Sequence, residues 1–181
     1  NTIHEPSACY VIGKVLGQGG FGITYLAEQI ALDRKVAVKE FFMKDLCNRD
    51  ESTSYVSVGS AGSVDMVERF KAKFLKEARN IAHLNHPNIV KIHDIFEENG
   101  TAYYVMDYIE GESLYDIVKH GGALTEADAV RYIRDTAAAL ILILRRCRRI
   151  WRHIGLGRFL SCRHRPHLPI PHFIRSSRVV Y

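Results

Sequence analysis

The C-terminal part of this sequence lacks carboxylate and amide side chains, whose oxygen atoms serve as ligands for hard cations. From Thr136 to Tyr181 there is no Asp, Glu, Asn or Gln, and residues 145–181 carry ten Arg but no Lys. Residues 1–144 hold all 20 acidic residues against 15 Lys and Arg, so the net charge of +5 combines −5 and +10. The chain therefore has two segments of different composition, and the basic one has no carboxylate or amide side chain to offer to Mg²⁺.

Long apolar runs, a signal peptide and paired cysteines are also missing. The longest apolar run, 137–144, has eight residues, well short of the roughly 20 needed to cross a membrane. The first residues show no basic region followed by an apolar one, so no secretory signal is predicted. The four cysteines (Cys9, Cys47, Cys147 and Cys162) have no C-x-x-C spacing, which is typical of free thiols in a reducing compartment. We therefore expect a cytoplasmic protein with no membrane partner.

The remaining pattern predicts an α+β fold. Strands are expected at 10–16, 23–29, 35–41, 91–97 and 101–108, because these segments are rich in β-forming residues and are separated by turn signals. From Val67 apolar residues recur at three and four, which predicts a helix that ends before Pro87. A short helix follows within 110–122, and Thr125 caps a longer one. The expected architecture is a five-stranded antiparallel sheet with one packed helix, then the first helices of an incomplete second lobe.

The composition also suggests domain bounds. We expect an N-terminal segment at 1–9, a first lobe at 10–108, a connection and the start of a second lobe at 109–144, and an Arg-rich tail at 145–181. Residues 48–63 are polar, small and without period, which predicts a loop, and no role is assigned to it.

A glycine-rich stretch, LGQGGFGITYLAE, joins the first two strands. A flexible hairpin turn is the simplest interpretation. A dinucleotide-binding loop is disfavoured, because a strand follows the glycines where that motif opens a helix, and Lys39 stands where an acid is expected. A loop between two strands can instead fold over phosphates, since glycine lets backbone N–H groups approach oxygen atoms closely.

Lys39 and Glu77 are the charged residues that fit this interpretation. Strand alternation places Ala37 and Lys39 on one face of the third strand, and Val36 and Val38 on the other. Glu77 falls in the apolar stripe of the helix, where a carboxylate is costly to bury unless it is paired. An exposed edge lysine remains an alternative, but a Lys39–Glu77 pair would direct the ammonium at phosphate.

Four motifs together resemble a known family. GQGGFGITY, VAVKE, FLKEARNIAHLNHPNIV and YYVMDYIEGESL resemble, in order and spacing, the N-terminal lobe and hinge of protein kinases, especially the eukaryotic-like serine/threonine kinases of bacteria. The resemblance covers about 10–140. It implies an ATP-dependent protein serine/threonine kinase with ATP and Mg²⁺ as cofactors and an unknown protein substrate.

The resemblance also implies roles for individual residues. Lys39 would hold the α- and β-phosphates and Glu77 would pair with it, so both are candidate catalytic residues. Met106 falls at the gatekeeper position, Asp107 and Ile109 would offer backbone groups to adenine, and Thr24 replaces a common Val. The candidate ATP-binding residues are Leu16, Gly17, Gly19, Gly20, Gly22, Thr24, Ala37, Lys39, Met106, Asp107 and Ile109, and no metal ligand is assigned.

The later motifs of the family are missing from the sequence. The catalytic loop H-R-D-x-K-x-x-N should fall near residues 150–157, where this chain reads IWRHIGLG. We therefore expect a truncated and inactive kinase, with a tail that is poorly packed and most readily explained by translation in a shifted reading frame.

Three alternatives stay open. The chain could be a non-catalytic nucleotide-binding or interaction module of the pseudokinase type. The tail could bind nucleic acid through RRCRRIWRH, with Trp151 stacking on bases, although we expect at most non-specific binding. Cys162, His164, His167 and His172 could hold zinc, although their spacing matches no usual zinc motif.

Overall fold

The computed structural model describes residues 2–5 and 8–153, with side chains described from Cys9 to Arg146. These residues fall into two compact units, 1–85 with 90–108, and 86–89 with the residues from 109 onward. The first unit contains β1 (Thr2–Glu5), β2 (Ala8–Gly19), β3 (Gly22–Gln29), β4 (Arg34–Phe41), β5 (Cys47–Arg49), β6 (Val56–Val58), α1 (Val64–Ala82), β7 (Ile92–Glu98) and β8 (Thr101–Asp107). The second contains α2 (Leu114–Gly121) and α3 (Glu126–His153).

The first unit is built on one antiparallel sheet in the order β1-β2-β3-β4-β8-β7. Five of these strands are the predicted ones, so the predicted α+β fold with one helix is confirmed. The sheet has a sixth strand at its edge, β1, which pairs with β2 in the segment predicted only as an N-terminal extension. Four residues with one apolar member carry too little periodic signal to be recognised as a strand.

The prediction of a loop at 48–63 is wrong in part. β5 and β6 form a separate two-stranded hairpin there, and Ala61–Ser63 form a 3-10 turn before α1. Each strand has three residues, which is too short for alternation to be visible in the sequence. Cys47 and Val56 are buried and anchor this hairpin. The segment Cys47–Val58 is called the insertion hairpin below.

The two faces of the sheet carry separate cores. On the α1 face, Phe74 packs against Phe41 and Tyr104, with ring centroids 5.7 and 4.9 Å apart. Buried residues of α1 and of the insertion hairpin complete this cluster (Val67, Leu75, Ala78, Cys47 and Val56). The opposite face is closed by Tyr10, Ala27, Val36, Val38, Phe96, Tyr103 and Val105. Residues of β4 therefore alternate between the two faces, as the sequence predicted, and each face carries a core of its own.

The second unit begins with two capped helices. The hydroxyl of Ser113 accepts a hydrogen bond from the amide of Asp116 at 3.1 Å, at the start of α2. The hydroxyl of Thr125 accepts one from the amide of Asp128 at 3.2 Å, so the predicted cap of α3 is confirmed. α3 continues to His153 and therefore crosses the proposed boundary at residue 145 as a helix. No helix in the described part of the chain is long and apolar enough to span a membrane.

Candidate nucleotide site of the N-terminal unit

The glycine-rich stretch forms the turn between β2 and β3. Gly19 pairs with Gly22 across the hairpin, and Gly20 and Phe21 form its tip. The Phe21 ring stacks on Phe70 of α1 with centroids 5.2 Å apart, and the amide of Phe42 donates to the Phe21 carbonyl at 3.3 Å. The tip is therefore attached to α1 and to the end of β4, and it is not a free loop.

The glycines differ in the space around them. A Cβ atom at Gly22 would lie 2.4 Å from the carbonyl oxygen of Glu40, so only glycine allows β3 to approach β4 here. A Cβ at Gly19 or Gly20 would meet nothing within 4 Å. The Cβ side of Gly19 and Gly20 therefore faces open space, where an external group can approach.

One row of residues crosses four strands of the sheet. Gly17 pairs with Thr24, Thr24 with Lys39, and Lys39 with Tyr104. Directly opposed residues of antiparallel strands point to the same face, so the Lys39 side chain lies on the α1 face beside Thr24 and Tyr104. Its ammonium is 5.8 Å from the centroid of the Tyr104 ring. The sheet thus places the first glycine of the loop in register with the candidate lysine.

Lys39 is a half-buried cation without a direct ion-pair partner among the described residues. Burial lowers the pKa of its ammonium from 10.5, and the negative charge of Glu77 acts in the opposite direction. Burial also raises the pKa of Tyr104, with a further contribution from Glu77. The structure therefore does not form the direct Lys39–Glu77 ion pair that the sequence predicted, and Glu77 acts on this row through space.

The candidate residues for the adenine base lie on several elements, and two of them, Ala37 and Met106, form a pair of β4 and β8 two residues from the Lys39–Tyr104 pair. Ala37 is buried and pairs with Met106 of β8. The Asp107 amide donates to the Lys91 carbonyl at 3.0 Å. The Asp107 carboxylate binds His93 Nε2 at 2.6 Å, an interaction that the sequence did not indicate. Leu16 lies in the irregular part of β2 next to Gly17, while Ile109 belongs to the second unit.

The sequence also missed a buried charge beside Lys39. Glu40 is 1% exposed, and its carboxylate accepts hydrogen bonds from the hydroxyls of Tyr25 at 2.8 Å and Tyr103 at 3.1 Å. Arg49 of the insertion hairpin forms an ion pair with it at 2.6 Å. Its partners lie up to 63 residues away in the chain, so no local sequence pattern could have identified this buried carboxylate and its partners.

The residues whose side chains the structure describes do not form a metal site. Among residues with described side chains, no cluster of three or more His, Cys, Asp or Glu is placed to hold an ion. The hypothetical zinc ligands Cys162, His164, His167 and His172, and most of the basic tail, lie outside the described residues.

Comparison with known proteins agrees with this geometry. A family model described as protein kinase domain matches residues 10–152. The chain is 34% identical over 134 residues to serine/threonine-protein kinase PrkC of Bacillus subtilis (strain 168), covering 74% of this chain and 18% of that protein. It is 37% identical over 135 residues to serine/threonine-protein kinase PknB of Mycobacterium tuberculosis (strain ATCC 25618 / H37Rv), covering 72% and 18% respectively.

A solved structure agrees as well. PpkA-294 in its apo form aligns with a TM-score of 0.58 at 29% sequence identity, covering 61% of this chain and 39% of that one. The family match, the curated relatives and this structure together confirm the resemblance predicted from the four motifs. The chain therefore belongs to the protein kinase family, and its first unit has the fold of a kinase N-terminal lobe.

Proposed function

We propose that the first unit binds the phosphates of ATP along the row Gly17–Thr24–Lys39–Tyr104. The observation that carries this proposal is the half-buried Lys39 ammonium, which has no anion in direct contact and lies in register with the glycine hairpin. Burial without an ion pair costs free energy, and a phosphate would supply the missing charge. The backbone of Gly19 and Gly20, whose Cβ side is open, can offer N–H groups to the same ligand.

The remaining candidate residues would hold the base. Ala37 and Met106 provide a small and a flexible apolar surface at neighbouring positions of β4 and β8. Asp107 would offer its carbonyl to the adenine, with Leu16 beside the adenine ring. Lys39 remains the candidate catalytic residue, and Glu77 would assist it by its charge.

The family to which the chain belongs is that of ATP-dependent protein serine/threonine kinases. We propose that the chain of 181 residues does not itself transfer phosphate. The family reaction needs Mg²⁺, a catalytic Asp and an Asn, and residues 136–181 contain no Asp, Glu, Asn or Gln. The described residues hold no set of ligands that fits Mg²⁺, so no catalytic step is assigned. We also propose that the basic tail results from translation in a shifted reading frame and that the protein is located in the cytoplasm.

Calorimetric titration of ATP into the full 181-residue chain tests the binding proposal. We expect measurable binding by the unaltered chain and a loss of about tenfold in affinity for Lys39→Ala, as for a charge-assisted contact worth about 1.5 kcal/mol. Arg69→Met is the matched control, because Arg69 is an exposed cation on α1. Equal affinities of the unaltered chain and Lys39→Ala would remove Lys39 from the site.

Phosphate transfer is tested separately, with radiolabelled ATP and a generic protein acceptor. We expect no transfer above that of the Lys39→Ala variant. A robust activity that depends on Lys39 would refute this part, and would leave the binding proposal in place.

A further inference from the structure

We propose that the insertion hairpin positions Lys39 for the nucleotide, through the ion pair between Arg49 and Glu40. This inference rests on the proposed binding of ATP phosphates at Lys39. It makes Arg49 and Glu40 positioning residues, since Glu40 lies on the face of β4 opposite Lys39 and Arg49 acts through Glu40.

The first argument is the geometry of β4. Lys39 and Glu40 are consecutive, so their side chains point to opposite faces of the same strand. The Glu40 carboxylate is held from three directions, by Tyr25 of β3, Tyr103 of β8 and Arg49 of the insertion hairpin. A strand fixed at Glu40 on both neighbouring strands cannot shift at Lys39 independently.

The second argument is the dependence of this group on Arg49. Tyr25 and Tyr103 are neutral donors, and burial together with the Glu40 charge raises the pKa of both hydroxyls. Arg49 is therefore the cation that balances the charge of the buried carboxylate. Loss of one partner leaves an uncompensated buried charge, which is far more costly than loss of both partners.

The third argument is that Arg49 is itself held in place. Its guanidinium lies 5.0 Å from the centroid of the Phe42 ring, and it donates to the Ser54 carbonyl at 3.4 Å. Asp50 closes the tip of the hairpin by accepting bonds from Ser52 and Thr53, and these bonds lower its pKa to about 2. The hairpin thus presents Arg49 from an ordered turn.

The fourth argument is the contact of the same hairpin with α1, which carries Glu77. Cys47 and Val56 are buried in one cluster with Val67 and Ala78 of α1. The Val56 amide donates to the Asn99 carbonyl at 2.8 Å. The insertion hairpin therefore contacts both β4, which carries Lys39, and α1, which carries Glu77. The negative charge of Glu77 acts on Lys39 and on Tyr104.

A double-mutant cycle between Arg49 and Lys39 tests the proposal in the full chain. We expect Arg49→Met to weaken ATP binding by about five- to tenfold in the unaltered background and to have no further effect in the Lys39→Ala background. Arg49→Lys retains the charge and should restore part of the affinity, while Arg69→Met should leave it unchanged. Additive effects of Arg49→Met and Lys39→Ala would refute positioning and leave a general effect on stability.

A second readout needs no nucleotide. The rate at which an acylating reagent modifies Lys39, followed by peptide mass spectrometry across pH, reports the environment of the ammonium. We expect Arg49→Met to move the midpoint of this profile towards 10.5, because a displaced Lys39 loses the burial that lowers its pKa. An unchanged profile together with unchanged affinity would overturn the inference.

The two readouts separate the inference from the function on which it rests. A shifted Lys39 profile without any ATP binding would remove the proposed function and keep the positioning role of Arg49. If Arg49→Met does not fold, the pair Glu40→Gln with Arg49→Met avoids the unbalanced charge. That double variant should fold and show the same shift of the Lys39 profile, and a normal profile in it would refute the proposal.

Discussion

Replacement of Gly22 and Gly20 by alanine, one at a time, separates the structural role of the glycine hairpin from its role towards a ligand. In Gly22→Ala the new Cβ would lie 2.4 Å from the Glu40 carbonyl oxygen, against 3.4–4 Å for ordinary contact. Because that oxygen belongs to the backbone of β4, it cannot rotate away, so β3 and β4 must separate. Overpacking of this kind costs about 1–3 kcal/mol.

Gly20→Ala is the matched control. Its Cβ would meet nothing within 4 Å, and Gly20 does not have a positive φ. Alanine at a compatible position stabilises by about 0.4–1 kcal/mol, because it restricts the unfolded chain. The two variants should therefore differ by about 1.5–4 kcal/mol in the free energy of unfolding, although they make the same chemical change two residues apart.

Urea unfolding of the full chain, followed by far-ultraviolet circular dichroism, measures this difference. Amide hydrogen exchange in β3 and β4 locates it, and faster exchange is expected in Gly22→Ala alone. Equal unfolding midpoints for the two variants would refute the steric reasoning. Gly20→Ala should nevertheless bind ATP more weakly, because a methyl group would stand where the phosphate approaches the backbone.

Two further predictions concern the row around Lys39 and the core beneath it. As the pH rises, ATP affinity should begin to decline before pH 10.5, because burial lowers the pKa of Lys39 and the ammonium loses its proton earlier than a free lysine. Lys39→Arg should remove this decline in a calorimetric pH series, and a decline that begins only above 10.5 would contradict the assignment. Phe74→Ala should destabilise the first unit by about 3–5 kcal/mol, because Phe74 packs between Phe41 and Tyr104. A loss below about 1 kcal/mol in urea unfolding would show that this cluster contributes less than its burial implies.

Local periodicity was sufficient to predict five of the six strands of the large sheet and α1. The alternation of β4 placed Ala37 and Lys39 on one face and Val36 and Val38 on the other, and the structure shows that the Lys39 face is the one that α1 covers. The glycine hairpin and the Thr125 cap are likewise short-range features, in which the interacting residues are close in sequence.

The parts that the sequence did not reveal depend on distant partners. Glu40 follows Lys39 directly and could not be distinguished from an exposed carboxylate, because its burial requires Tyr25, Arg49 and Tyr103 from three other strands. The insertion hairpin was missed since its strands are three residues long and are held by Cys47 and Val56 in a core shared with α1. The distance between Lys39 and Glu77 also depends on how α1 packs, which sequence spacing does not determine.

The adjacent charges of Lys39 and Glu40 have a consequence for folding itself. A slip of β4 by one residue against β3 and β8 would exchange the faces of all its side chains. The ammonium would then enter a site of two tyrosine hydroxyls and Arg49, where it meets a second cation, and Arg49 loses the carboxylate that balanced it. The carboxylate would take the place of Lys39 beside Glu77, where like charges repel. Both errors carry a penalty, so this pair of neighbours selects the correct strand pairing during folding, whether or not a nucleotide is ever bound.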